Sequence, residues 1–270
     1  MSTSHDQDNP FAPPKAAVLA AETSDGTYIP DGQRVATSRG SEWFGEAWRL
    51  FKASPGTWVA IYVLFMVMWI VLAIMPAGSL LSSLCYPAVA AGLMMGCKSL
   101  EEGGELKIGH LFVAFKQNIG NLLLVGILYL VGSVIITFVA VIVGLVVFPL
   151  VASGANFNNF NPTDLSSLMV FVPALLLVVL IVLALTLPLF MAMWFAPALV
   201  VFHDVPPMAA MRSSFQGCLK NTVPFLLYGV VGLLLFIVAL IPLGLGLLVY
   251  GPLIWGTMYV GYRDIFVRRA

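Results

Sequence analysis

The chain has 270 residues, 60% of them hydrophobic and 10% charged, with 13 basic against 13 acidic side chains and a formal net charge of zero. A soluble domain carries roughly a quarter charged residues, so this composition excludes one. Balanced charge gives no reason to expect nucleic acid as a partner.

Residues 1–41 are rich in Pro, Gly, Ser, Thr and Asp, and their one apolar run is Ala16 to Ala21, which is too short for a secretory signal. They read as a retained, disordered cytoplasmic tail, followed by a single membrane domain over 42–267. From there on, no Asp, Glu, Lys or Arg occurs between Lys52 and Lys98, Lys116 and Asp164, Asp164 and His203, or Lys220 and Arg263. Each interval is long enough for one or two transmembrane helices of about 20 residues. The expected fold is therefore all-α and polytopic, with six transmembrane helices.

The first span is expected from Thr57 to Ile74 and the second from Ser79 to Cys97, joined by a turn at Pro76-Ala77-Gly78. A third starts near Asn121 and runs as far as Val151, about 45 Å of helix against a hydrocarbon core of about 30 Å, so it must tilt, bend or protrude. Ser153 to Ser167 is a far-side loop with Asn and Phe from Asn156 to Asn161. The fourth stretch, Leu168 to Phe202, contains Pro188 and Pro197 and reads as one crossing with a break. Spans five and six are placed at Val223 to Ile241 and Leu243 to Tyr262, with a tight turn at Pro242-Leu243-Gly244. Pro87 and Pro252 fall inside spans two and six, so helix breaks are expected at Pro87, Pro188, Pro197 and Pro252.

Every Lys and Arg lies in a segment on one side of this arrangement: Lys15 to Lys52 before span one, Lys98, Lys107 and Lys116 between two and three, Arg212 and Lys220 between four and five, and Arg263, Arg268 and Arg269 after six. Basic residues concentrate in cytoplasmic loops, which predicts both termini in the cytoplasm and multi-pass insertion in a bacterial inner membrane. Each cytoplasmic connection also contains an amphipathic pattern. The apolar sets are Trp43, Phe44, Ala47, Trp48 and Phe51; Ile108, Leu111, Phe112 and Phe115; and Met208, Met211, Phe215, Cys218 and Leu219. These predict three short interfacial helices, with Trp43, Trp48, Phe51, Phe112, Phe115, Met211 and Phe215 as anchors. They serve as elbows for the spans, or alternatively as a platform for a partner.

FKQNIGN at Phe115 to Asn121 aligns with FQGCLKN at Phe215 to Asn221 and, in length and polarity, with FKASPGT at Phe51 to Thr57. Pro87 and Pro252 each stand eleven residues before a basic residue, Lys98 and Arg263. The spacing predicts a parallel repeat of three units, 42–100, 108–204 and 206–267.

NPFAPPKAAV (Asn9 to Val18), GSEWFGEAWRLFKASPGTWV (Gly40 to Val59), FAPALVVFHDVPP (Phe195 to Pro207) and GYRDIF (Gly261 to Phe266) resemble a family of uncharacterised six-helix bacterial inner-membrane proteins, mainly proteobacterial. More distantly the unit is similar to the membrane domain of some glycerophosphodiester phosphodiesterases. The resemblance implies a compartment and a fold; the chain carries no catalytic domain of that kind. The Asn9-Pro10-Phe11 opening resembles tails of other bacterial membrane proteins and reads as a short recognition motif.

Chemistry is sparse. His5, His110 and His203 show no metal-ligand spacing, and Cys85, Cys97 and Cys218 suit neither a disulfide framework nor a zinc site. Asp204, before Val205-Pro206-Pro207, reads as an N-cap of the third amphipathic helix. Glu101, Glu102 and Glu105 read as a solvated turn, and glycines such as Gly126, Gly132, Gly229 and Gly256 as points of close helix packing. Catalytic, cofactor and metal residues are accordingly none. Membrane lipids are the expected partners, with a protein partner at the cytoplasmic face as a further candidate. The leading expectation is a non-catalytic scaffold or accessory protein acting through its tail and interfacial helices. A transporter or binder of a lipid or neutral solute comes second, and an intramembrane enzyme last, because enzymes and ion-coupled carriers need ionisable groups at membrane depth.

Overall fold

The structure, a computed structural model, describes residues 27–154, 169 and 171–268. The Asn9-Pro10-Phe11 motif, Lys15, the Asn156 to Asn161 stretch and Arg269 lie outside them. The described elements are, in order, β1 (Thr27–Tyr28), α1 (Arg39–Ala53), α2 (Pro55–Ile74), α3 (Gly78–Glu101), α4 (His110–Val113) with a 3-10 turn (Ala114–Lys116), α5 (Ile119–Gly154), α6 (Val172–Trp194), α7 (Ala196–His203), α8 (Pro207–Lys220), α9 (Thr222–Leu240), α10 (Leu247–Phe266) and β2 (Val267–Arg268). The fold is all-α apart from β1 and β2, which pair antiparallel.

Three antiparallel hairpins, α2–α3, α5–α6 and α9–α10, stand on one cap. Their turns are tight because the sequence supplies the backbone they need. Ala77 takes a left-handed conformation (φ 59°) and hands over to Gly78, where a Cβ would lie 1.6 Å from the Leu72 carbonyl oxygen. Leu243 and Gly244 (φ 55° and 82°) turn the third hairpin. The cap consists of α1, α4, α7, α8 and residues 27–38. All the described Lys and Arg side chains belong to it, to the turns and strand beside it, or to the helix ends entering it.

Burial is concentrated at the cap. Trp43, Trp58, Phe195, Leu111, Leu199, Ile265 and Phe266 are fully enclosed there, whereas Leu145, Leu150, Leu226 and Leu233 on the hairpins are more than half exposed. So much apolar surface without cover is incompatible with water and suits hydrocarbon. Among the described residues, five helical stretches are long and apolar enough to cross a membrane: Pro55–Ile74, Gly78–Glu101, Ile119–Val151, Val172–His203 and Thr222–Leu240. The expected sixth, α10, is not among them: it carries three tyrosines and three glycines before Arg263 and Asp264 in its last turns. It is also the helix least dependent on lipid, since nearly every residue from Pro252 to Phe266 is buried against other helices.

The prolines behave differently from the expectation. α3 continues through Pro87, α6 through Pro188 and α10 through Pro252, so these three are not helix breaks. Proline removes one donor, and a helix held by its neighbours tolerates that loss. The real break is at Phe195, between α6 and α7, with Pro197 in the first turn of α7, where its missing N–H is not needed. Its cause is a side chain from α8. The Ser214 hydroxyl accepts from the Phe195 N–H (2.9 Å) and donates to the Met191 carbonyl (2.7 Å), standing where the i to i−4 bond would have formed.

The expectation of disorder over 1–41 does not hold for its described part, residues 27–41, of which Arg39 to Ser41 already belong to α1. Residues 27–38 form a strap laid across the ends of α8 and α10. Ile29 N–H donates to the Phe266 carbonyl and Gln33 N–H to Ile265, each at 2.8 Å. The Asn221 side chain accepts from Val35 N–H and donates to the Gln33 carbonyl, both at 2.8 Å. Backbone groups with such partners are satisfied without a regular sheet, which is why a polar, Gly-containing stretch is ordered here.

The lead-in segments pack in a regular way: α4 lies on α3, α8 on α6 and α7, and α1 on α10. Each expected unit is thus clasped by the first element of the next, and the third is clasped by the first.

Candidate functional site

The densest polar cluster joins α1, α3 and α10 inside the cap. Arg39 donates from Nε to Asp264 Oδ2 (2.6 Å) and from its terminal nitrogens to Glu42 (2.7 Å) and Glu46 (2.6 Å). Trp43 Nε1 donates to the same Asp264 oxygen at 2.9 Å. Arg263 pairs with Glu46 and Glu101, and the Tyr259 hydroxyl donates to Glu101 Oε2 at 2.6 Å. Burial of Glu46 would raise its pKa, but the hydrogen bonds from Arg39 and Arg263 outweigh it and hold the carboxyl below the ordinary range. The same set of carboxylates raises the pKa of Arg39 against the effect of its own burial. Acids and bases committed to one another in this way clamp elements together.

Two readings of single residues change here. Glu101 does not belong to a solvated turn; it is the α3 member of the clamp. Asp204 is not the N-cap of α8, which is Pro206. Proline disfavours a helical residue before it, so Val205-Pro206 runs extended and carries Asp204 out of capping range. Asp204 instead closes α7 at φ 50° and accepts from Asn118 Nδ2 at 2.6 Å. Its neighbour His203 shares a 2.6 Å hydrogen bond with the Tyr262 hydroxyl and stacks on Tyr28 of the strap at 4.4 Å.

The seven expected anchors divide by burial. Trp43, Phe51 and Met211 are buried in protein, because the apolar faces of α1 and α8 are covered by neighbouring helices; they do not contact lipid as anchors. Phe115 and Phe215 are half-buried. Trp48 and Phe112 remain exposed, and Ile108, Met208 and Leu219 join them. The expected second interfacial helix is only α4 and its 3-10 turn. Gly229 meets nothing within 4 Å, so it is not a packing point, whereas a Cβ at Gly126 would lie 2.9 Å from Leu84 Cα, and one at Gly132 would lie 2.8 Å from the Leu189 side chain.

Among the described residues, three recesses at the level of the hairpins are large enough to consider. One of about 350 Å³ is lined by Trp69, Ser82, Ser83, Tyr86, Tyr129, Phe190 and Met193, and a groove of about 410 Å³ between α5 and α6 includes Ser133, Thr137 and Thr186. Ser82, Ser83, Ser133 and Thr137 donate to carbonyls one turn back in their own helices (2.8–2.9 Å), so their protons are already used. The third, about 260 Å³, is a cleft between the end of α6 (Leu187, Phe190, Met191, Trp194) and the start of α9 (Phe225, Leu226, Tyr228). Among the described residues, no Asp, Glu, Lys, Arg or His lines it. The Tyr228 hydroxyl is turned to buried Thr257 on α10, 3.0 Å away. Cys218 at the cap end is a buried thiol whose pKa burial pushes up, which disfavours the reactive thiolate. Among the described residues no three His, Cys, Asp or Glu side chains converge as metal ligands.

Sequence reasoning did not find the clamp, the strap, Ser214 or the cleft. The available signal for the clamp was the Arg263-Asp264 pair ending an apolar segment, since charges at that position in a membrane chain require partners.

No family model matches the chain, and no solved structure matches it. A Burkholderia thailandensis protein named as a probable inner membrane protein is 30% identical over 200 residues, which is 72% of this chain and 72% of that protein. With its apolar hairpins and this relative, the chain belongs to that family of bacterial inner-membrane proteins.

Proposed function

We propose that the chain is a non-catalytic membrane protein of six crossings, with both termini cytoplasmic, that takes up a lipid acyl chain or an equally apolar solute in the cleft between α6 and α9. The observation that carries this reading is the cleft itself. Its walls are mainly aromatic and aliphatic, it lies between two membrane-capable helices, and its hydroxyls are engaged elsewhere, Tyr228 with Thr257 and Thr222 with the Leu219 carbonyl. Apolar recesses with few polar groups are the usual form of a small-molecule site. Hydrocarbon is the surrounding solvent at that depth. Charges at membrane depth, which ion-coupled carriers and intramembrane enzymes use, are not offered by the spans. The distant resemblance to the membrane domain of some glycerophosphodiester phosphodiesterases is then one of membrane architecture.

The accessory-protein reading keeps one specific support. β1 and β2 hold Thr27 opposite Arg268, so the two ends of the described chain lie side by side on the cap and offer a partner one surface at which to meet both. Native mass spectrometry of protein extracted in mild detergent separates the two readings. A retained lipid on the wild type, reduced several-fold by Leu226→Trp, supports the cleft. A stoichiometric protein without a retained lipid supports the accessory reading and overturns the cleft.

A further inference from the structure

We propose that the connection between α3 and α5 holds a binding site for the headgroup of an anionic phospholipid, formed by Lys107, His110, Phe112 and Lys116. These residues, with Gly109 and Val113, line a recess of about 340 Å³ on the cap surface, remote in sequence from the α6–α9 cleft. Three observations converge on this occupant.

The first is charge. Lys107 and Lys116 are exposed and face one recess, and the carboxylate near Lys107, Glu105, is itself exposed and 3.8 Å away, a separation at which a surface pair is weak. The second is the position of His110. Its Nδ1 lies 3.0 Å from the Lys107 nitrogen and 3.1 Å from the Lys107 carbonyl oxygen, so the backbone that carries one of the two lysines also fixes the imidazole at the wall of the recess. The third is the company these groups keep. Phe112 and Ile108 are 43% and 49% exposed beside them, and the chain passes directly into the membrane-capable helix α5. A soluble anion leaves those apolar side chains in water. A lipid covers them with its chains while its phosphate meets the lysines, the pairing expected of basic and apolar residues at a membrane surface.

The site is independent of the α6–α9 cleft, so each can fail alone. The test uses the full chain in nanodiscs of phosphatidylcholine or of phosphatidylcholine with phosphatidylglycerol, with retained lipids counted by native mass spectrometry after mild extraction. The wild type should retain phosphatidylglycerol in preference to phosphatidylcholine. K107Q/K116Q should lower that preference about 30-fold, given the contribution of each basic residue near an anionic surface. R49Q/K52Q, which removes the same charge from exposed positions on α1, should leave it within about twofold, and millimolar inorganic phosphate should not compete. Competition by phosphate identifies a soluble anion as the ligand and overturns the lipid assignment. No preference in the wild type, an unchanged preference in K107Q/K116Q, or an equal loss in R49Q/K52Q overturns the site.

Discussion

Arg263 and Asp264 are adjacent in sequence but satisfy different partners, the arginine taking Glu46 and Glu101 and the aspartate taking Arg39 and Trp43. Neither choice is readable from the chain, because Glu46 and Glu101 lie 217 and 162 positions away, and local patterning carries no information at that range. What is readable is that an Arg-Asp pair at the end of an apolar segment requires neutralisation. Removing one member of the clamp leaves the others without charge partners, which costs more than the pair itself contributes. Arg263→Gln is therefore expected to destabilise the folded protein by about 2–3 kcal/mol, read as a lowered thermal midpoint in detergent. The pH dependence has a definite sign. Glu46 is held below its ordinary value of 4.5, so the unfolded chain binds its proton first, and the stability it contributes is present above that value and lost as pH falls through the folded pKa. The thermal midpoint should be level from pH 7 to about 5 and decline below about 4.5, and Glu46→Gln should flatten that decline.

At the level of elements, the hairpins were legible and their surroundings were not. Charge-free runs bounded by basic residues locate α2, α3, α5, α6 and α9 within a few residues, because a bilayer imposes a length and a polarity that the chain must display. Amphipathic patterns locate α1 and α8 equally well, yet periodicity reports only that a face is apolar. It cannot distinguish a lipid cover from a protein cover, and for Trp43, Phe51 and Met211 the cover is protein. The break before α7 was expected from its prolines and comes at Phe195, two residues before Pro197, but its cause is the Ser214 hydroxyl inserted between Met191 and Phe195 from another helix. Pro188, seven residues upstream of Phe195, leaves α6 intact. Ser214→Ala removes the bridge and strands a buried N–H and carbonyl. The expected cost is about 1–3 kcal/mol in thermal stability, together with loosened packing of α8 on α6, seen as faster hydrogen exchange at Phe195. An unchanged midpoint and exchange rate would show that α6 and α7 break for other reasons.

For the whole molecule, the cap explains why six apolar segments of very different length form one body. α5 spans 36 residues, about 54 Å, while α9 has 19, and both hairpins nevertheless begin and end at the same ion-paired and strapped platform. The platform collects the basic residues on one side, and α10 completes the third hairpin by returning to it although it lacks a stretch apolar enough to match the other five. That return was expected from charge segregation alone, and the antiparallel packing of Phe236 on Tyr250 and Tyr228 on Thr257 supports it. The strap and the clasp of α1 on α10 were not legible, since they join the two ends of the chain through contacts that no periodicity encodes. The central claim is that three hairpins project from a cytoplasmic cap. Topology reporters fused after Gly78, within Asn156 to Asn161 and after Gly244 should read as external, and those fused after Glu102, Asn221 and Ala270 as cytoplasmic. A fusion after Gly244 that reads as cytoplasmic, or one after Glu102 or Asn221 that reads as external, would contradict it.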